Sequence, residues 1–364
     1  WPISREVRTL ARLAPEEFLL WKEFNSSIMA VESIGNGGEM MAGIRDVAKE
    51  AHVGVGTVSR YLNGSGYVSE KSRARIEKAI QRLDYQPNEL ARNLYRNRSG
   101  IIGVIVPDLE NPFFSKLTKY IEINLYERHY KTMVCNTIGV SNREKEFLGM
   151  LERNVVDGII VAAHTLHSDD YLRINRPILA MDKDFKGQIP LVHSDHKKGG
   201  RLAAEAMIKA GCKNILQFTP SSKVTTPSNQ RHIVFEAICK ENGVRVTTVE
   251  TNWNLFSHAY YREYMREEMD RYQGIDGVFT ADIPAIACMN ILKQKGYRIP
   301  EDVKIMGYDA VDAIYMTDPP LTSIAQNIQE LAQRCANTIL NIIEGKKYER
   351  HQIVDVHLVK GKSV

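Results

Sequence analysis

The chain has 364 residues, of which 43 % are hydrophobic and 25 % charged, with a net charge of +4; this composition is typical of globular proteins, and the length suits two or three domains. No apolar run approaches the roughly 20 residues of a membrane span, and the N-terminal segment lacks the pattern of a signal peptide, so neither membrane insertion nor secretion is expected. Five scattered cysteines without a Cys-x-x-Cys pair argue against a disulfide framework or a zinc site and favour a cytoplasmic location.

Positive charge is concentrated in one short segment. Residues 42–99 hold eleven Lys or Arg and six Asp or Glu, a net charge of +5, so the rest of the chain carries −1. Such an asymmetry is the electrostatic footprint expected of a segment that binds a polyanion. A solvated basic helix face would give the same count, so charge alone does not decide.

The first 40 residues do not fit the pattern of the remaining chain. The chain opens with Trp1, and a short amphipathic pattern between Leu10 and Phe24 is interrupted by Pro15. The sequence Gly37-Gly-Glu-Met40 can be back-translated into a purine-rich ribosome-binding sequence that ends in a start codon. We therefore interpret residues 1–40 as a non-native or disordered extension; the alternative is a genuine extension that packs on the core.

Three short helices are predicted after this extension. Apolar residues between Ile44 and Ala51 recur at i, i+3, i+4 and i+7, which predicts the first helix. The turn His52-Val-Gly54 leads to a second helix over Val55–Leu62. After a glycine-rich break, a third helix is predicted from the N-cap Ser69 up to Gln86-Pro87.

Two short helices joined by a tight turn form the helix-turn-helix unit, whose second helix enters the DNA major groove. The leading or outward positions of the second predicted helix are Val55, Gly56, Thr57, Ser59 and Arg60. Arg60 can pair bidentately with guanine, whereas Thr57 and Ser59 suit phosphate contacts. A three-helix bundle that binds a protein would show the same spacing, so this alternative stays open at this point.

The pattern changes from Gly100 onward. Ile101–Val106 is a continuous, mostly β-branched run, typical of a parallel strand buried on both faces. Further strands are predicted at Thr132–Asn136, Gly158–Ala162, Ile178–Met181, Asn214–Phe218, Gly277–Thr280 and Val303–Gly307. Helices are predicted between them at Phe114–Arg128, Gly199–Ala210, Asn229–Asn242, Tyr260–Tyr272 and Ile283–Lys295. The alternation predicts an α/β core of doubly wound parallel sheets, split into two similar subdomains with a cleft between them.

Four sequence blocks appear in the order and spacing of a known family. They are Ile44-Arg-Asp-Val-Ala-Lys-Glu-Ala51, Thr57-Val-Ser-Arg-Tyr-Leu-Asn63, Val68-Ser-Glu-Lys-Ser-Arg73 and Leu83-Asp-Tyr-Gln-Pro-Asn-Glu-Leu-Ala-Arg-Asn-Leu94. On these blocks the chain resembles the LacI family of bacterial transcription regulators, which includes the lactose and purine repressors. Residues 150–171 are most similar to the sucrose-operon repressors of that family. The resemblance implies an all-α helix-turn-helix head and a core of the periplasmic-binding-protein type I fold.

The resemblance also implies which residues contact DNA. Val55 and Gly56 match the variable pair that selects the operator, Ala91 matches a small residue between paired hinge helices, and Leu94 matches a leucine that wedges into the minor groove and bends the duplex. His52 and Gly54 depart from the family's usual Gly and Ser without arguing against DNA binding. The full set of expected DNA contacts is Ile44, Val55, Gly56, Thr57, Ser59, Arg60, Asn63, Asn88, Ala91, Arg92 and Leu94.

The effector site is expected in the cleft, where loops at the carboxyl ends of parallel strands meet. Carboxylates and amides suit sugar hydroxyls, and an aromatic ring suits the apolar face of a sugar. The loops and the resemblance together place effector contacts at Phe113, Phe114, His164, Asp182, Arg231, Trp253, Asp282, Asp309 and Gln326. The expected effector is a sugar, either a disaccharide or a sugar phosphate.

No enzyme chemistry is expected. His193-Ser-Asp-His196 could suggest a metal or catalytic cluster, but alternate residues of a strand point to opposite faces, which favours a structural role. Gly-x-Ser-x-Gly, Walker and His-Glu-x-x-His motifs do not occur, so no cofactor is expected. The alternatives left open are a transport-type sugar-binding protein and a regulator that answers to a non-sugar effector or to a protein partner.

The expected domains are the extension (1–40), the head (41–87), a hinge helix or linker (88–99) and the effector-binding core (100–364). Within the core, the first subdomain is expected over about 100–194 and 324–350, and the second over about 195–323 and 351–364. The expected assembly is a homodimer on double-stranded operator DNA with pseudo-palindromic half-sites.

Overall fold

The computed structural model describes residues 42–63, 66–86, 98–137, 143–162, 168–221, 226–252 and 257–364. The chain divides into two compact units, Trp1–Tyr95 and Arg96–Val364. Within the described ranges, no helix is both long enough and apolar enough to cross a membrane.

In residues 42–63 and 66–86, the first unit forms three helices, α1 (Ile44–Glu50), α2 (Val55–Asn63) and α3 (Glu70–Arg82), close to the predicted bounds. His52, in the turn between α1 and α2, has a positive φ of 51°, which His tolerates better than most side chains. Ser69 caps α3 as predicted, because its hydroxyl accepts a hydrogen bond from the Ser72 amide at 3.3 Å. The three helices enclose a small core of Val47, Ala48, Ala51, Val58, Val68, Ile76 and Ala79.

The second unit contains alternating strands and helices. Its strands are β1 (Ile101–Val106), β2 (Lys131–Asn136), β3 (Gly158–Val161), β4 (Ile178–Met181), β5 (Leu191–Ser194), β6 (Asn214–Thr219), β7 (Arg245–Glu250), β8 (Gly277–Phe279), β9 (Lys304–Asp309), β10 (Thr322–Gln326), β11 (His351–Val354) and β12 (Val356–Val359). Its α-helices are α4 (Pro112–Tyr126), α5 (Arg143–Glu152), α6 (Ser168–Leu172), α7 (His196–Lys209), α8 (Gln230–Glu241), α9 (His258–Arg271), α10 (Asp282–Gln294) and α11 (Ile328–Glu344).

The strands form two six-stranded sheets, one in each subdomain. The first has the order β11-β5-β4-β3-β1-β2 and is parallel throughout, and the second has the order β12-β10-β9-β8-β6-β7. In the second sheet only β12 is antiparallel, pairing with β10. Both sheets are covered by helices, with separate apolar clusters on their faces. The predicted fold class is therefore confirmed.

Two of the expected subdomain boundaries are wrong. All of β10 lies in the second sheet, so the chain returns to the first subdomain after Gln326. The strand β11 lies in the first sheet, where Ile353 pairs with His193, so the chain leaves that subdomain only after Val354. The cause is that β11 alternates exposed and buried side chains, a pattern that fits the edge of either sheet.

Candidate functional site

The head exposes the leading face of α2. Val55 is 43 % exposed, and Gly56 and Arg60 are also exposed. The Arg60 guanidinium folds along the helix, and its Nε donates to the Gly56 carbonyl at 3.2 Å. Thr57 and Ser59 are half-buried beside this face. Small residues next to one long cationic side chain form a surface that can approach the major groove closely.

Ile44 and Asn63 mark the two ends of the predicted DNA surface. Ile44 begins α1, and its half-buried side chain packs against the core of the head. Asn63 is the last residue of α2, and its side chain is outside the described part of the structure, as are the hinge residues Asn88, Ala91, Arg92 and Leu94. The DNA contacts expected of these residues therefore stay predictions.

A solvent-connected cleft lies between the two sheets. Its described wall includes six of the predicted effector residues: Phe113, Phe114, Asp182, Arg231, Asp309 and Gln326. They reach the cleft because each follows a strand or begins a helix at the same end of its sheet, as expected for doubly wound folds. His164 and Trp253, the other expected contacts on loops, lie outside the described residues.

Asp182 and Asp309 come from opposite subdomains and lie at the ends of β4 and β9. Both have a positive φ, 55° for Asp182 and 107° for Asp309. Such backbone conformations cost free energy in residues other than glycine, and they concentrate at binding sites. Two carboxylates are therefore held at the cleft in locally unfavourable conformations.

His196, in the first turn of α7, connects the two subdomains. Its Nε2–H donates to Asp182 Oδ1 at 3.0 Å, and its Nδ1 lies 3.0 Å from the Tyr308 hydroxyl. His193 lies parallel to it, with ring centroids 6.2 Å apart, and both rings line the cleft. The expectation that the two histidines point to opposite faces is wrong, because His193 is on β5 whereas His196 already belongs to a helix.

A second set of hydrogen bonds, centred on the end of β10, joins the two subdomains. Ser194 Oγ donates to Gln326 Oε1 at 2.6 Å, and Gln326 Nε2 donates to Asp309 Oδ1 at 2.7 Å. Burial raises the pKa of Asp309, although the nearby Arg231 guanidinium opposes this shift. Gln326 therefore joins β5 of the first sheet to a carboxylate of the second.

Arg231 lies over the Tyr308 ring, with its Cζ 4.4 Å from the ring centroid. Its Nη1 is 4.0 Å from Asp309 Oδ1, and only 8 % of the residue is exposed. Gly200 allows α7 to approach this site, because a Cβ at that position would overlap the Arg231 carbonyl oxygen. The guanidinium is thus held between an aromatic face and a carboxylate.

Asp282, the remaining predicted effector contact, is nearly buried beside the cleft, and its contact with an effector stays a prediction. It is 1 % exposed. Its Oδ1 accepts from Ser323 Oγ at 2.6 Å, and its Oδ2 accepts from the Val311 amide at 2.7 Å. Both oxygens are therefore engaged in joining α10 to the segments after β9 and within β10, which is a structural role.

Comparisons with known proteins assign the family. Residues 43–88 match the model of the bacterial regulatory proteins of the lacI family, and residues 204–364 match that of the periplasmic binding protein-like domain. The sucrose operon repressor of Streptococcus mutans serotype c is 34 % identical over 89 % of this chain and 100 % of its own length. The chain belongs to the LacI family of bacterial regulatory proteins.

Two further comparisons agree with this LacI-family assignment. The ribose operon repressor of Halalkalibacterium halodurans is 34 % identical over 86 % of this chain and 93 % of its own length. The structure of the Lac repressor bound to ONPG in the repressed state superposes with a TM-score of 0.77 at 23 % identity, covering 89 % of this chain and 99 % of that one. The head and core are those of an effector-modulated DNA-binding repressor, as the sequence predicts.

Several cleft residues of this LacI-family chain were not predicted from the sequence. They include His193, His196, Phe218, Asn252 and Tyr261. One signal was available, because Phe218 lies near the end of a predicted strand. Tyr261 is 8 % exposed and lies in the first turns of α9, where helical periodicity alone does not distinguish a core residue from a cleft residue. Within the described ranges, no three His, Cys, Asp or Glu side chains are grouped to hold a metal ion.

Proposed function

We propose that this chain represses transcription by binding operator DNA through α2 and its hinge, and that a sugar in the cleft changes its affinity for that DNA. The observation that carries this proposal is the pair Asp182 and Asp309, which comes from the two subdomains and faces one cleft beside Arg231. A sugar that bonds both carboxylates would draw the subdomains together. The relatives named as sucrose and ribose operon repressors support a sugar as the effector.

The charges of the cleft favour an uncharged sugar. Among the described wall residues, Arg231 is the only lysine or arginine, and it already lies near Asp309. Asp182 adds a second carboxylate, so the described wall repels a phosphate more than it attracts one. Phe113, Phe114 and Phe218 offer apolar faces for a sugar ring. A neutral mono- or disaccharide therefore fits this wall better than a sugar phosphate.

Contacts at the start of the core link the first subdomain, which forms part of the cleft, to the hinge that precedes it. The amides of Ser99 and Gly100 donate to the Asp157 carboxylate at 2.6 and 2.8 Å. Arg98 Nη2 donates to the Ile343 carbonyl at 3.0 Å. These contacts fix the end of the hinge to the first subdomain, so a movement of that subdomain reaches the hinge. Such coupling between two sites is typically about 1–3 kcal/mol.

We also propose that the protein acts as a homodimer in the cytoplasm. A homodimer would place two heads on a pseudo-palindromic operator. The five cysteines are free and buried, which suits a reducing cytoplasm. The cleft would bind its sugar without converting it, and the helix-turn-helix head makes a transport-type protein the weaker alternative.

Isothermal titration calorimetry of the full chain tests the effector part of this proposal. Sucrose, ribose and their phosphorylated forms would be titrated into the wild-type protein and into Asp182→Asn. We expect a neutral sugar to bind the wild type, and the variant to bind it at least about tenfold more weakly, because a charge-assisted hydrogen bond is lost. Lys119→Ala, an exposed change on α4, is the matched control. Binding of a phosphorylated sugar alone would contradict the neutral-sugar proposal.

A further inference from the structure

A buried histidine lies next to the cleft arginine and also lines the cleft. His232 follows Arg231 in the first turn of α8 and is only 4 % exposed. Arg231 Nε lies 3.1 Å from His232 Nε2. The guanidinium can only donate, so Nε2 of His232 must carry a lone pair. The ring is thus the acceptor for Arg231 Nε.

The second ring nitrogen continues the chain of hydrogen bonds. With Nε2 unprotonated, the proton of the neutral ring is on Nδ1, which donates to Gln217 Oε1 at 3.2 Å. Burial, with the Arg231 charge as a second cause, keeps the pKa of His232 well below its usual value. The ring is therefore neutral, and a single tautomer satisfies both neighbours.

This chain of hydrogen bonds ends at the protein surface. Gln217, fully buried on β6, donates through Nε2 to Thr248 Oγ1 at 3.0 Å, and Thr248 is its registered neighbour on β7. The Thr248 hydroxyl donates to Glu236 Oε2 at 2.9 Å, which returns the chain to α8. Every donor and acceptor is thus assigned in one direction, and rotation of the buried His232 or Gln217 side chain would leave a buried polar group unsatisfied.

We propose that His232 is a positioning residue, which fixes the Arg231 guanidinium for effector binding through the relay Arg231–His232–Gln217–Thr248–Glu236. With Nε committed to His232, and with the guanidinium lying over Tyr308, the donors left for an effector are the two Nη groups. The effector is therefore recognised by oxygen atoms that meet the Nη end of Arg231, next to Asp309. Sequence alone does not reveal this role, because a single His on a helix is more often an ordinary core or surface residue.

The functional test compares three variants of the full chain, and it rests on the proposed function. His232→Leu removes both hydrogen bonds, whereas His232→Gln can still accept from Arg231 and donate to Gln217. Cys239→Ala is the matched control, since Cys239 is buried on the same helix outside the relay. We measure operator binding by fluorescence anisotropy against sucrose and ribose. His232→Leu should need at least about tenfold more sugar, with sugar-free operator binding unchanged, while the other two variants stay within about threefold of wild type.

A wild-type sugar response in His232→Leu, or an equal loss in Cys239→Ala, would overturn the positioning role.

A spectroscopic test remains decisive if His232→Leu does not fold or if neither sugar acts. Histidine-labelled protein at pH 6 should show His232, assigned by its absence in His232→Gln, as a neutral ring with the proton on Nδ1. A charged ring, or a proton on Nε2, would overturn the relay. The absence of any sugar response in a protein with the expected tautomer would instead contradict the proposed function.

Discussion

Lys116 Nζ lies 2.7 Å from Asp312 Oδ1 and joins helix α4 of the first subdomain to the short 3₁₀ helix Asp312–Met316 of the second. The pair is solvent-accessible, with the Asp312 side chain 75 % exposed. It is a direct ionic contact between the subdomains, formed at the surface. Because the pair is exposed, it can contribute little to closure of the two subdomains around an effector.

Breaking this ion pair should have little effect on effector binding. Exposed pairs contribute about 0–1 kcal/mol, so Lys116→Ala should change sugar affinity by less than about fivefold. High salt should reduce even that difference. Calorimetry at two salt concentrations, with Lys119→Ala as control, measures the effect. A loss of sugar affinity well beyond fivefold would show that closure depends on this contact.

Arg60 should be required for recognition of the operator. Arg60→Ala removes the long cationic side chain of the α2 face, and we expect a loss of about 1–3 kcal/mol in specific DNA binding. Lys78→Ala, an exposed change on α3, should lower affinity less and equally for all sequences. Anisotropy titrations with operator and scrambled DNA separate the two effects. Equal losses on both DNAs for Arg60→Ala would show that Arg60 contacts phosphate only.

Gly200 should not tolerate a side chain. At an open helix position, replacing glycine by alanine stabilises a protein by up to about 1 kcal/mol. Gly56→Ala should have this effect, because a Cβ added there would meet no atom within 4 Å. At Gly200 the Cβ would meet the main chain of Arg231, which cannot move aside cheaply. We expect Gly200→Ala to destabilise the core by about 1–3 kcal/mol and to weaken sugar binding. Urea unfolding of both variants tests this, and stabilisation by Gly200→Ala would contradict the packing.

His193 should make the core less stable in acid. Its Nδ1 lies 2.7 Å from the Ser194 carbonyl and its Nε2 lies 2.8 Å from His351 Nε2, so the neutral ring donates to the first and accepts from the second. Burial is the main cause that lowers the pKa of His193; His196 and His351 lower it further, whereas the Ser194 carbonyl and Asp182 raise it. A histidine whose pKa is depressed in the folded state contributes stability that is present above its unfolded-state pKa of about 6.5. This stability is lost as the pH falls through its folded-state pKa.

His193→Gln should therefore reduce the dependence of unfolding free energy on pH between about 7.5 and 5, although the lowered pKa of His232 leaves a residual slope in the same direction. Urea midpoints across this range measure the slope. An unchanged slope in the variant would show that His193 titrates normally in the folded protein.

Much of this architecture could be predicted from the sequence. The run Ile101–Val106 forms β1 with the predicted bounds, and Ser69 caps α3, because both depend on local chemistry. The position of β11 beside β5 could not be predicted, since its pairing with His193 joins residues far apart in the chain. The long helix α11, although amphipathic, is not among the predicted elements.

The candidate site could also be predicted only in part. Asp182, Arg231 and Asp309 could be predicted because carboxyl ends of parallel strands meet at one edge of a sheet. The hydrogen bonds that Ser323 and the Val311 amide donate to the Asp282 carboxylate could not be predicted, because they join segments far apart in the chain. The role of His232 could not be predicted, because it depends on side chains from two strands and a helix that only the folded structure brings together.

The sugar-responsive repressor function is tested by an anisotropy titration of the full chain on its own upstream DNA at fixed salt, with and without sucrose, ribose and their phosphates. We expect tight binding to one upstream fragment, and a change of at least about fivefold in the DNA dissociation constant on addition of a neutral sugar, in line with typical allosteric coupling. Failure to bind any upstream fragment at low salt would contradict the repressor function. Tight binding that no sugar alters would contradict the role proposed for the cleft.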